Sequence, residues 1–158
     1  MNLILRNLSG LCLSRILDCA SMGKMGNSAK KITKKGKIIP NGVVLKPHEN
    51  ATAVFLTEQG FDVELIPASN IKGVHTPDIK MDGLEWEMKA PVGEGNQLMK
   101  NTVQKALRQS QNIIIDLRNT KRYQDKCIRE LKREFRESKN LKRLKIIKND
   151  RKVLDFEK

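Results

Sequence analysis

"TPDIKMDGLEWEMKAP", residues 76–91, decides the fold. Asp82-Gly83 at its centre is a favoured two-residue hairpin turn, and the residues on either side alternate between polar and apolar. The stretch reads as two antiparallel strands, 78–82 and 84–90. Alternation puts Asp78, Lys80 and Asp82 on one face of the first strand and Ile79 and Met81 on the other. On the second strand Glu85, Glu87 and Lys89 share a face. Leu84, Trp86, Met88 and Ala90 lie opposite and suit a core. In a hairpin the two polar faces coincide, so Asp78 and Glu87 can point at one spot, with Lys89 one pleat further on. Carboxylates gathered in this way repel one another unless a cation neutralises them. A hard divalent ion does so with oxygen ligands, and Mg²⁺ or Mn²⁺ suits two carboxylates plus water. The plain alternative is a solvent-facing hairpin of mixed charge.

Outward from the hairpin, "FDVELIPA" (61–68) alternates and reads as a strand. Before it, "KPHENATAVFLTEQG" reads as a helix, with Pro47 in the first turn and Gly60 just past the end. "IIPNGVVL" is expected to form a short hairpin around Asn41-Gly42. After the central hairpin, "VGEG" is a loop, and 96–110 carries Leu98, Val103, Ala106 and Leu107 near helical spacing. "NIIIDL" (112–117) is a continuous apolar run of the kind found in a buried strand. A charged helix follows over 121–139, with Ile128, Leu131 and Phe135 on one side. "LKRLKIIK" and "KVLDFE" read as final strands. The expected order from residue 47 is helix, three strands, helix, strand, helix, two strands. A mixed α/β sheet flanked by helices accommodates it.

Charge is unevenly spread along this basic chain, whose formal net charge is +13. Residues 1–48 hold nine Lys and Arg against one acid, 49–94 hold three against nine, and 95–158 hold nineteen against eight. Basic flanks around an acidic middle suggest a polyanion-binding surface surrounding a local cation site; a solvated lysine-rich surface is the ordinary alternative. Cys12, Cys19 and Cys127 form no metal-binding pattern, and their odd number argues against a disulfide framework and for a reducing compartment. No stretch approaches the ~18 apolar residues of a membrane span. "MNLILRNLSGLCLSRILDCA" looks superficially like a secretion signal, but Arg6, Arg15 and Asp18 interrupt it, and it reads better as an amphipathic helix or poorly ordered leader. With the Gly-, Ser- and Lys-rich 21–37 it makes a basic leader, 1–37, ahead of a folded domain, 38–158.

Pro77-Asp78, eight residues and then Glu87-Met88-Lys89, preceded by a helix with Glu49 and followed by a helix and a buried strand, resembles the PD-(D/E)xK nuclease superfamily, the restriction-endonuclease-like fold. More narrowly, "GFDVELIP", "TPDIKMDGLEWEMKAP" and "NTVQKALRQSQNIIIDLR" look like the C-terminal tRNA-cleaving toxin domain of CdiA-type contact-dependent growth-inhibition proteins, over roughly residues 42–157. The resemblance implies that Asp78 and Glu87 are metal ligands, that Lys89 is the catalytic lysine, and that Glu49 completes the metal site from the first helix. As a plain helix residue, Glu49 also suits the first turn through the macrodipole. The same resemblance suggests Gln104 and Lys105 as supporting polar residues, with an exposed helix face as the plain alternative.

His75 lies within reach of the site as a candidate for proton transfer or substrate contact, with an ordinary loop histidine as its alternative. His48, beside Glu49, has the same two readings. Arg118 is a candidate phosphate ligand and Asp116 a pairing partner for a neighbour. Asn101, Arg108 and the basic helix are candidate RNA contacts. The implied function is a metal-dependent endoribonuclease that cleaves tRNA, toxin-like, using Mg²⁺ or Mn²⁺, with Zn²⁺ left open. Nucleic acid is the implied partner, with an immunity protein as a second and no membrane. The implied site of action is the cytoplasm of a cell into which the domain is delivered. Three other readings remain: a DNA endonuclease of the same fold, a non-catalytic nucleic-acid- or partner-binding module, and a metal-independent RNase acting through the 2′-hydroxyl.

Overall fold

The computed structural model describes residues 34–158. The expected amphipathic leader, most of the linker, Cys12 and Cys19 lie outside the described residues. Among the described residues there are seven strands and three helices. In chain order they are β1 (Ile38–Ile39), α1 (Pro47–Glu58), β2 (Val63–Leu65), β3 (Ile79–Met81), β4 (Leu84–Lys89), α2 (Leu98–Ala106), β5 (Asn112–Asp116), α3 (Gln124–Glu137), β6 (Arg143–Ile147) and β7 (Val153–Glu157). The strands form one mixed sheet in sequence order. β2–β3, β3–β4 and β6–β7 pair antiparallel; β1–β2, β4–β5 and β5–β6 pair parallel.

Local chemistry explains most of these elements. Pro47 opens α1, where its missing N–H is no loss. Gly60 follows the helix at φ +92°, a conformation glycine adopts freely. Asp82 and Gly83, at φ +53° and +76°, make the expected tight turn between β3 and β4. Asn41 and Gly42 also turn the chain with positive φ, and Val43 N–H closes that turn onto Pro40 O at 2.8 Å. No hairpin results. β1 instead pairs parallel to β2, and 43–46 continue without strand pairing into α1. The turn chemistry was right, but the next apolar residues, Val43 and Leu45, pack against the core beneath α1 rather than pairing back on β1. Gly36 and Lys37, on the leader side of the expected boundary, are already tied to the domain: Gly36 N–H donates to Thr57 O at 2.8 Å and Lys37 N–H to Asp62 Oδ1 at 3.0 Å.

Helices cover both faces of the sheet. On one face α1 packs Ala53, Phe55 and Leu56 against Val63, Leu65, Ile79, Met81, Trp86, Met88, Ile114 and Ile147. On the other, α2 and α3 pack Met99, Val103, Ala106, Ile128, Leu131 and Phe135 against Ile113, Ile115, Leu144 and Ile146. The run Ile113-Ile114-Ile115 feeds both cores in turn, which is why β5 is apolar without alternation. Each such side chain contributes about 1.5–3 kcal/mol through burial. Lys145, on the α1 side of β6, is almost buried as well. It reaches Asp155 and lies 5.3 Å from the ring of Trp86.

Candidate active site

The first carboxylate is held by the end of a ladder. Asp78 N–H donates to Trp86 O at 3.1 Å, and Asp78 O accepts from Ile66 N–H at 3.0 Å. Pro77, one residue earlier, has no N–H with which to extend the pairing. Met88 N–H is satisfied instead by the Asp78 side chain, Oδ2, at 2.8 Å. This fixes the carboxylate across β4, beside Glu87.

Register then sets the rest. Glu87 lies opposite Ile113 and Lys89 opposite Ile115, so both point to the α2–α3 side, while Trp86 and Met88 point to the α1 side. The expected division of faces is observed. Asp82 belongs to the turn and is exposed, away from the cluster. Glu87 is fully buried; its Oε1 accepts from Lys89 Nζ and from Gln109 Nε2, and its Oε2 is buried without a partner. Lys89 remains 31% exposed. Asp78 lies near enough for its charge to bear on the ionisation of Glu87.

The electrostatics follow from this geometry. Burial pushes Glu87 from 4.5 up to about 7; Lys89 works against the rise and Asp78 adds to it. Burial likewise raises Asp78, against the Met88 N–H and Lys89, while the charge of Glu49 adds to the rise. Both acids thus hold their protons more firmly than usual, because burial disfavours the charged form of each by more than Lys89 restores.

Glu49 belongs to this neighbourhood through its charge, but its own oxygens are engaged on α1. Oε2 accepts from Lys46 N–H at 3.1 Å and Oε1 from Lys46 Nζ at 3.3 Å, closing the helix start; His48 Nε2 is 3.7 Å away. Among the described residues no group of three or more His, Cys, Asp and Glu side chains is drawn together at ion-holding spacing.

The other candidates separate. His75 is exposed and makes no hydrogen bond or ion pair among the described residues. Asn101, Gln104 and Lys105 are exposed on α2, with no hydrogen bond to Asp78 or Glu87. The polar residue that does support the cluster is Gln109, beyond the end of α2. Its signal was the polar run "RQSQN" (108–112) leading into an apolar strand: once β5 lies parallel to β4, that run must pass beside Glu85 and Glu87. Ser110 Oγ and Asn112 Nδ2 both donate to Glu85 O there, at 2.9 and 3.0 Å.

Arg118 is taken up inside the fold rather than presented to a phosphate. Its Nε donates to Asp116 Oδ1 at 2.9 Å, one terminal nitrogen donates to Asp116 Oδ2 at 2.6 Å and to Ala51 O at 2.9 Å, and its guanidinium lies 4.6 Å from the Phe55 ring. Asp116 also accepts from Thr52 Oγ1 at 2.8 Å. This pair locks α1 to the end of β5. Arg108 is exposed and lines a cleft of about 510 Å³ with Lys80, Glu85, Gln109 and Gln111.

The family model described as contact-dependent growth inhibition CdiA C-terminal domain matches residues 75–153, half of the chain. The matched region holds Asp78, Glu87, Lys89 and Gln109 but not Glu49. Among solved structures, a chain of the CdiA-CT/CdiI toxin and immunity complex from Burkholderia pseudomallei matches with a TM-score of 0.56 at 17% identity, covering 78% of this chain and 100% of that chain. At that identity the likeness concerns the fold. No curated protein matches. The chain belongs to the CdiA C-terminal domain family of contact-dependent growth inhibition, and is a toxin module with a mixed α/β fold.

Proposed function

We propose that this domain is a metal-dependent endoribonuclease of the PD-(D/E)xK type, with tRNA as its substrate. The observation that carries the reading is the convergence of Asp78, Glu87 and Lys89 on one spot, with Glu87 fully buried and its Oε2 left without a partner. An orphaned buried carboxylate oxygen is costly unless a cation takes it up. The donors fit a hard ion. They are carboxylate oxygens with no histidine or cysteine among them, which favours Mg²⁺ or Mn²⁺ over Zn²⁺, and two carboxylates are enough for a cation that keeps several waters.

Asp78 and Glu87 would hold the ion, with Glu49 contributing through its charge from α1. When bound, such an ion supplies Lewis-acid polarisation of a phosphodiester and activates water for attack. Lys89, partly exposed beside Glu87, presents an ammonium that orients the attacking water or steadies charge developing on the phosphorus oxygens. Gln109 holds Glu87 Oε1, so that Oε2 is the oxygen left for the cation. The choice of RNA, and of tRNA within it, rests on the likeness to tRNA-cleaving toxin domains. The toxin family and the toxin–immunity neighbour support delivery into a target cell and a cognate immunity protein as partner.

The test is cleavage of purified tRNA and of duplex DNA, each with Mg²⁺, with Mn²⁺ and with EDTA. The reading expects metal-dependent cutting of tRNA alone. Cutting of the duplex with tRNA intact would move the substrate to DNA. Undiminished tRNA cutting in EDTA, leaving 2′,3′-cyclic phosphate ends, would overturn the metal.

A further inference from the structure

We infer that the cleft between the β3–β4 hairpin and the α2–β5 loop is the subsite for a nucleotide next to the scissile phosphate, held by Lys80 and Arg108. The inference deepens the nuclease reading and rests on it.

Three features point to the cleft. The first is position. Lys80 lies directly opposite Glu85, and Glu85 precedes Glu87 by two residues on the same face of β4. Two residues of strand span about 7 Å. The cleft therefore continues the polar face that carries the paired carboxylates, although Asp78, Glu87 and Lys89 are not among its walls. Gln109 joins the two: it lines the cleft and its amide donates to Glu87.

The second is chemistry. At about 510 Å³ the cleft falls in the ~300–1,000 Å³ range of small-ligand sites. Its lining is mainly polar, with two cations, one carboxylate and the amides of Gln109, Gln111 and Asn112. Among the described residues neither Lys80 nor Arg108 has a carboxylate within ion-pair distance. By contrast Arg118, Arg122, Arg143 and Arg151 are each paired. Two unpaired cations across a cleft suit a phosphate, and Glu85 is an acceptor for a base amino group.

The third is rigidity. Ser110 Oγ and Asn112 Nδ2 tie the α2–β5 loop to Glu85 O, and Ser110 Oγ accepts Asn112 N–H at 3.0 Å. The walls are therefore fixed relative to Glu87, as a positioning subsite requires.

α3 is the more heavily charged surface, and its exposed Arg129 and Arg133 make the comparison. The experiment measures tRNA affinity in the Lys89→Ala background and cleavage in the wild-type background. It compares Lys80→Ala/Arg108→Ala with Arg129→Ala/Arg133→Ala, which remove the same charge. All four positions are exposed, and thermal melts followed by circular dichroism verify folding. The cleft pair is expected to weaken tRNA binding about 10-fold and to lower the salt slope by about 1 to 2. It should raise KM more than it lowers kcat and shift the cut position. The α3 pair is expected to change affinity less than about 3-fold and leave the cut position alone. If wild type cleaves tRNA and the cleft pair binds and cuts as wild type does, the subsite is overturned while the nuclease reading stands. The same follows if the α3 pair is the more damaging, or if the cleft pair weakens only the grip of an acidic partner protein. If wild type neither binds nor cuts RNA, both ideas fail together.

Discussion

Glu87→Gln should abolish a pH dependence of stability that has an unusual sign. In the metal-free protein burial holds Glu87 at about 7 instead of 4.5. Between those values the folded state keeps a proton that the unfolded chain has released. The folded state is therefore favoured below pH 4.5 and loses that advantage as pH rises towards 7. A carboxylate whose pKa is lowered on folding would do the reverse. The rise from 4.5 to about 7, at about 1.4 kcal/mol per pH unit, corresponds to about 3 kcal/mol. Glutamine keeps the shape and removes the titration. Urea denaturation followed by the fluorescence of Trp86, the single tryptophan, gives both stabilities in EDTA from pH 4.5 to 8. The variant should gain about 3 kcal/mol on wild type across that range. Asp78, raised in the same direction, leaves a shallower slope in both proteins. Adding Mn²⁺ at pH 8 should stabilise wild type and not the variant. Parallel stability curves for the two proteins would refute the reasoning.

Gln109→Leu should leave the fold in place and weaken Mn²⁺ binding about 10- to 100-fold by calorimetry, because the carboxylate it orients is released. Arg118→Ala should cost about 3–5 kcal/mol of stability by urea titration, since Asp116 would stay buried with its charge uncompensated. A Gly36→Ala variant should also lose stability in the same assay, because the added Cβ would fall 1.9 Å from Phe61 O.

The central hairpin was legible because two periodic signals and a turn dipeptide agreed: alternation on both strands and Asp82-Gly83 between them. That agreement also assigned Trp86 to the core and Glu87 to the opposite face, as observed. The three apolar residues Ile113–Ile115 marked β5 for the same reason, since only a strand covered on both faces is apolar throughout. Asn41-Gly42 shows the limit of local chemistry. It makes its turn, but whether a turn becomes a hairpin depends on what the following residues can pack against, and Val43 and Leu45 found the α1 core. Gln109 was missed because its role depends on the register of a parallel pair, which no local pattern encodes. Arg118 reads from the sequence as a candidate phosphate ligand and Asp116 as a partner for a neighbour; the two pair with each other, and the contact to Ala51 O, 67 residues away on α1, is one that no local pattern encodes. Glu49 supported both of its readings, and its helix-closing hydrogen bonds account for its place without excluding its charge from the site.

The most direct test of the proposed chemistry is electrophoresis of tRNA after incubation with wild-type and Lys89→Ala protein, each with and without Mg²⁺. The account predicts discrete fragments from wild type with Mg²⁺ only, and a loss of rate of about 10²–10⁴ in the variant. Equal cutting by the two proteins, or cutting by wild type that persists after the ion is chelated, would contradict it.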